Sequence, residues 1–529
     1  MKKQIQLMIR NQFVERSICA CRWCTAPAVG TLICLGATLW SMNALAEEET
    51  VAPTAVLEAA PAVIVNPQAN QTIEPPRPPA VIPFRPTMNR SDYEAMKAQT
   101  RLYRPEPEPP SQEVFSVTTT PFIKLWNFDG HSSSDSLTPP DTHGALGTSH
   151  FIEVTNSHID IYVRGVPPTL VKSLTLASFF NYTTEILFDP RVVYDSTWNR
   201  WIVTADAFPE STTKQLLYIA VSTSSDPTGT FYIFNTNVDF AGNNNLFDFP
   251  QLGIDQDAVL FTANIFADGG VGGYLGSDFF AVAKARIYNG LGWIVPVFTG
   301  LVGTLAPPIV FDNNGYTYLV AAPTSGTKLT KYAATNTSRP GLTSIVSSTI
   351  TVASYSVPVD AAQPGTTVKL DTSDCRFVNA STQYGTDLWQ THTVGVGSTL
   401  QARPRFYRIN TSTNALTQTG TYHASLVSTA DFNASIAANT SGDCFVTWTS
   451  VNTNSGNNAS VRLSGKKSAD TGIAFGVNAL TSPTFYSFSR WGDYSAVTVD
   501  PTDSSTAWLV NEKIDSNSVW GSRIVRFGF

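Results

Sequence analysis

Asp189-Pro-Arg-Val-Val-Tyr-Asp195 is followed five residues later by Arg200-Trp-Ile-Val-Thr204. A turn residue opens it, a short β-branched and aromatic run follows, an Asp turn reverses the chain, and a second apolar run returns. Such a pair reads as a β-hairpin. The pattern recurs at Asp248-Phe-Pro-Gln-Leu-Gly-Ile-Asp255 with Ala258-Val-Leu-Phe-Thr262, and at Pro307-Pro-Ile-Val-Phe-Asp312 with Tyr316-Thr-Tyr-Leu-Val320. It is clear again at Asp493-Tyr-Ser-Ala-Val-Thr-Val-Asp500 with Thr506-Ala-Trp-Leu-Val510. Asp141-Thr-His-Gly-Ala-Leu-Gly147 with Phe151-Ile-Glu-Val-Thr155 opens the series, and weaker copies begin near Cys375 and Asp431.

The seven starts are spaced by 48, 59, 59, 68, 56 and 62 residues. A four-stranded propeller blade takes roughly 40 to 50, so longer loops account for the excess. Helical periodicity is nearly absent over 114–529, and the segment reads as one all-β domain. The expected fold is a β-propeller of seven blades, with six or eight open as alternatives because the fifth start is poorly marked. Tandem sandwiches are a second alternative. A membrane barrel would need long strands with a continuous apolar outward face, which charged, proline-bearing starts do not give.

The last repeat has only 37 residues, short for four strands, while Phe122-Ile-Lys-Leu-Trp126 is left over before the first. Pairing this N-terminal strand with the last blade supplies the missing strand and removes an open edge.

Ser441-Gly-Asp-Cys-Phe-Val-Thr-Trp448 resembles the Asp-box of sialidase-type propellers at every fixed position except the Gly, where Phe445 stands. The Asp141, Asp189-Pro-Arg191, Asp248 and Arg490-Trp-Gly-Asp-Tyr494 segments look like those of secreted bacterial propeller proteins of unassigned activity. The resemblance implies fold and export. It supplies no reaction.

The repeat starts also place chemistry. The first strand of a blade lies nearest the propeller axis, so Asp141, Asp189, Asp248 and Asp493 are expected to ring one mouth of the channel, with Arg191, Arg376 and Arg490 close by. Converging carboxylates repel unless a cation, an arginine or a polyhydroxylated ligand lies between them. A glycan or Ca²⁺ site is the functional reading; the plainer one is that each Asp caps a strand turn. If the protein is an enzyme, His143, Asp141, Asp493 and Tyr494 are the candidate catalytic groups. His131, His143, His150 and His158 match no metal spacing. No G-x-S-x-G, H-E-x-x-H or Walker sequence occurs, which leaves serine esterase, zincin and nucleotide hydrolase readings without support.

Two function classes follow. One is a non-catalytic binding or envelope-interaction module for a glycan or protein ligand at a channel mouth. The other is a glycan-active enzyme, a glycoside hydrolase or polysaccharide lyase, using the same mouth. Fold alone does not separate them.

The N-terminus reads as a secretory signal over 1–46: Lys2, Lys3, Arg10, Arg16 and Arg22 precede an apolar stretch ending in Ala44-Leu45-Ala46. Cleavage there leaves a secreted, periplasmic or cell-surface chain without a membrane span and, on this reading, monomeric. It also removes four of six cysteines, leaving Cys375 and Cys444, which an oxidising compartment could pair. The formal charge moves from −7 to −11, which disfavours nucleic acid. Between 47 and 113 the chain holds 13 of its 33 prolines and reads as a spacer that builds no sheet, with a short helix over 91–103.

Overall fold

The computed structural model describes residues 48–67, 81–101, 119–133, 137–425 and 430–529. The signal-sequence reading lies outside these residues. Among those described, no helix is long and apolar enough to cross a membrane.

The chain is a β-propeller. Among the described residues the strands fall into antiparallel groups of four that follow the repeat. The first strands of successive groups are His143–Leu146, Leu187–Asp195, Leu246–Ile254, Thr304–Ala306, Ser381–Tyr384, Ala430–Ala438 and Ala496–Val499. Each repeat start read from the sequence lies in such a strand or within three residues of one, except Cys375, which stands six residues before Ser381–Tyr384. Pro308–Val310, which follows the first strand Thr304–Ala306, links neighbouring first strands: it bridges in parallel to Ile254 on one side and to Ser381–Gln383 on the other. A common direction around the axis follows, with the starts at one end and the hairpins at the other. Gly253 sits at this crowded contact, where a Cβ would lie 2.5 Å from the Pro308 carbonyl oxygen.

Closure takes the expected form. Ile123–Ser132 pairs antiparallel with the final strand, Val519–Gly528, and completes the sheet begun by Ala496–Val499. The apolar core is divided among the spaces between sheets. Ile152 and Ile159 of one sheet pack with Val192, Val203 and Ala220 of the next, and Val193, Ile202 and Ile219 pack in turn with Val259, Phe261 and Val282. Each sheet is therefore buried on both faces, which is why its strands read as apolar runs with little alternation.

The structure corrects two expectations. The proline-rich segment does build sheet. Glu49–Val51, Ala55–Ala59 and Val63–Val65 add to the outer strands Ser344–Tyr355, Trp293–Leu301 and Phe231–Asn237. Proline is tolerated at such edges because an edge strand needs donors on one side only, and Pro53 and Pro61 stand between the short strands. Leu57, in the second of them, is buried in the core. The second correction concerns Cys375 and Cys444, which are unpaired and buried in different parts of the core. Burial raises both thiols above their ordinary range.

Candidate functional site

Local backbone explains how the starts present their side chains. Asp141, Asp189, Phe249 and Asn433 all have left-handed φ values, between 50° and 55°. Asp189, Phe249 and Asn433 fall where the register of the first strand shifts against its neighbour. A bulge of this kind bends the strand and re-aims a side chain. Asp and Asn tolerate the left-handed region better than most residues, so an Asp-rich start is suited to it.

The bulges bring the expected residues together. The Asp493 N–H donates to Asp141 Oδ1 at 2.6 Å, and Asn156 Nδ2 donates to Asp141 Oδ2 at 2.6 Å. The Tyr494 hydroxyl donates to Asp189 Oδ2 at 2.6 Å, and the Asp189 N–H donates to Asn156 Oδ1. Arg490 grips Asp493 through both terminal nitrogens at 2.6 Å. Arg191 lies over the Tyr494 ring, 3.4 Å from its centroid, and donates to the carbonyls of Pro250 and Val378. Asp248 and Arg376 belong to the rim of the same mouth, where Arg376 makes a bidentate pair with Asp374 and lies over the Phe249 ring.

Asp206 and Glu512, which the sequence did not single out, complete the acidic interior. Both Asp206 oxygens and Glu512 Oε1 are buried without a hydrogen-bond partner, while Glu512 Oε2 accepts from the Gly492 N–H. Burial and the neighbouring Asp493 carboxylate hold Asp141 up at about 7. Burial, followed by surrounding carboxylates, raises Asp189 and Asp206 well above the usual range, and burial raises Glu512 likewise. Burial and mutual repulsion thus favour the protonated form of these acids. Among the described residues, no group of three or more His, Cys, Asp or Glu is placed to hold a metal ion, so the Ca²⁺ reading finds no ligand set there.

This mouth is covered by the chain's own 81–101 segment. Arg490 Nε donates to the Ile82 carbonyl and Arg376 Nη2 to the Arg85 carbonyl. Arg85 pairs with Asp248 at 3.2 Å, and the Thr87 N–H and hydroxyl both donate to Asp374 Oδ2. The helix Arg90–Arg101 follows, with Tyr93 buried and Lys97 paired to Asp360 at 2.8 Å. Beneath this cover a void of about 20 Å³ is left beside Arg490 and Asp493.

The opposite end of the channel holds a cavity of about 240 Å³. Leu146, Val193, Ile309 and Ile436 form apolar wall, and Asn379, Asn439, Thr440 and Ser504 supply amide and hydroxyl groups. His143 stands in the wall. Its Nδ1 accepts from the Val192 N–H at 3.3 Å, so its Nε2 carries the proton and donates to Asn379 Oδ1 at 3.0 Å. Burial and the nearby Arg191 charge lower it to about 3. His143 is a neutral ring with both nitrogens engaged, and it orients Asn379. The Nδ2 of Asn379 donates to no protein group among the described residues.

The other histidines lie apart. His131 binds Asp160 at 2.9 Å and stacks on His158, and His150 stands 4.0 Å from Asp226. In the Ser441–Trp448 stretch, Asp443 accepts from the Ser468 N–H, and the buried Trp448 donates its Nε1–H to Asp431 at 2.8 Å. These contacts hold strands together and reach no cavity.

No family model and no curated protein matches the chain. Solved structures similar to it include the hemagglutinin-neuraminidase of parainfluenza virus 5, at 11% identity and TM-score 0.37, over 69% of this chain and 94% of that one. An exo-beta-1,3-galactanase from Phanerochaete chrysosporium matches at 12% and 0.31, over 77% and 96% of the two chains. Kluyveromyces lactis Hsv2 matches at 10% and 0.32, over 74% and 99%.

Proposed function

We propose that the chain is an exported binding module: a seven-bladed propeller, monomeric after signal cleavage, that takes a glycan in the channel cavity near His143 and Asn379. One observation carries the reading. The Asp mouth is filled by the chain's own groups, while the far end keeps about 240 Å³ lined by apolar wall and by amide and hydroxyl groups, with the Asp500 carboxylate of the lining paired to Arg164. A ligand cavity works in this way, with apolar area for affinity and a few fixed polar groups for orientation. Sugars offer hydroxyls in both roles and apolar ring faces, which suits an amide and hydroxyl rim better than an ionic ligand would.

Calorimetric titration against a panel of uncharged oligosaccharides tests it. Binding of at least one member by wild type and its loss in Asn379→Ala supports the module. A wild type that binds none of them sinks the glycan reading.

The catalytic alternative draws on Asp141, whose raised carboxyl is suited to donate a proton near neutrality. It requires the 81–101 segment to leave the mouth. Release of reducing ends from a polysaccharide by wild type, abolished in Asp141→Asn, would favour it.

A further inference from the structure

The cover over the Asp mouth has the anatomy of a bound peptide. Residues 82–87 meet the mouth through main-chain carbonyls, through an aromatic ring and through one cation. The Ile82 and Arg85 carbonyls each accept from an arginine of the propeller, Arg490 and Arg376. The same two guanidinium groups lie over the Phe84 ring, at 5.5 and 4.6 Å from its centroid. Arg85 reaches Asp248, and Thr87 satisfies Asp374. The propeller side of each contact is itself braced, Arg490 by Asp493 and Arg376 by Asp374. A preformed receptor with its polar groups held by second partners is what specific peptide capture requires.

We propose that this mouth is a peptide-recognition site whose resident occupant, in cis, is the chain's own 81–101 segment. Its ligand class is an extended segment with an aromatic-arginine pair, followed two residues on by a hydroxyl side chain. The two arginines read main-chain carbonyls and the aromatic face, Asp248 reads the cation, and Asp374 reads the hydroxyl. Tethering gives the resident segment a high effective concentration, so a free peptide competes poorly until the cis contacts are weakened. The site is independent of the cavity at the other end of the channel, and neither proposal falls with the other.

The test is fluorescence anisotropy of a labelled synthetic peptide of residues 81–101 against the full chain. Wild type should bind it weakly, because the open fraction of the site scales its apparent affinity. The full chain carrying Phe84→Ala and Arg85→Ala should bind the unaltered peptide at least about tenfold more tightly, since its own segment competes less. A peptide with the same two substitutions should not bind. Near-UV circular dichroism establishes that the variant is folded. Should it fail to fold, Thr87→Ala, which removes one side-chain contact, should give a smaller gain in the same direction. Equal peptide affinity in wild type and a folded variant overturns the proposal, as does equal binding of the substituted peptide.

Discussion

The hydroxyl of Tyr494 donates to the carboxylate of Asp189 at 2.6 Å, joining two repeat starts that stand 305 residues apart in sequence. Arg191, two residues beyond Asp189, covers the same ring. The contact ties the last repeat to the second across the axis, and it is buried. Tyr494→Phe removes one donor from a buried acid and leaves the ring in place. Stability to urea should fall by about 1 to 3 kcal/mol, the usual cost of an unsatisfied buried group. An unchanged midpoint would mean that water replaces the hydroxyl.

Asp141 should impose a pH dependence on stability. Its folded carboxyl sits at about 7, well above its ordinary value of 3.8. Between these values the folded protein keeps a proton that the unfolded chain has released. The contribution is complete below pH 4 and is lost as pH rises toward 7. Asp141→Asn holds no such proton. The wild-type stability minus that of the variant should therefore decline as pH rises, by up to about 1.4 kcal/mol per unit. Parallel curves would show that Asp141 does not titrate there.

The N-terminal segment should behave as part of the core. Leu57 is buried against residues of the third sheet, in a strand paired to Trp293–Leu301. Leu57→Ala should cost about 2 to 5 kcal/mol, as core truncations do. A spacer that builds no sheet would lose nothing.

The two thiols should be silent. Cys375 and Cys444 are unpaired and buried, so a reductant should leave the melting temperature unchanged, and both should react with a thiol reagent only after unfolding. A drop in melting temperature on reduction would contradict the free thiols.

Much of this architecture was legible because the repeat carries physical marks. Asp or Pro at every start but Cys375 meets the needs of a turn or bulge, and the apolar runs after Asp189, Asp248 and Asp493 mark strands buried on both faces. The shortage in the last repeat led directly to Phe122–Trp126 as the closing strand. Convergence of Asp141, Asp189, Asp493, Arg191 and Arg490 followed from placing first strands at the axis. The three N-terminal edge strands did not, because runs of three to five residues among prolines carry too little periodicity to register, and the helix expected over 91–103, found at Arg90–Arg101, carried no mark that its segment covers the Asp mouth. The alternation in Ala55-Val-Leu-Glu-Ala59 and the Tyr93 and Lys97 spacing were the signals available. Asp206 and Glu512 lie inside second strands, where nothing in sequence marks an acid as facing the axis. Whether Cys375 and Cys444 pair stayed open in the sequence, because composition says which thiols exist and nothing about where strands carry them.

The most direct test of the account compares the two ends of the channel in one titration. Oligosaccharide binding should be lost in Asn379→Ala, at the cavity, and retained in folded Tyr494→Phe, at the covered mouth. Binding that survives Asn379→Ala and is abolished by Tyr494→Phe would contradict it, placing the ligand among the carboxylates that the 81–101 segment now covers.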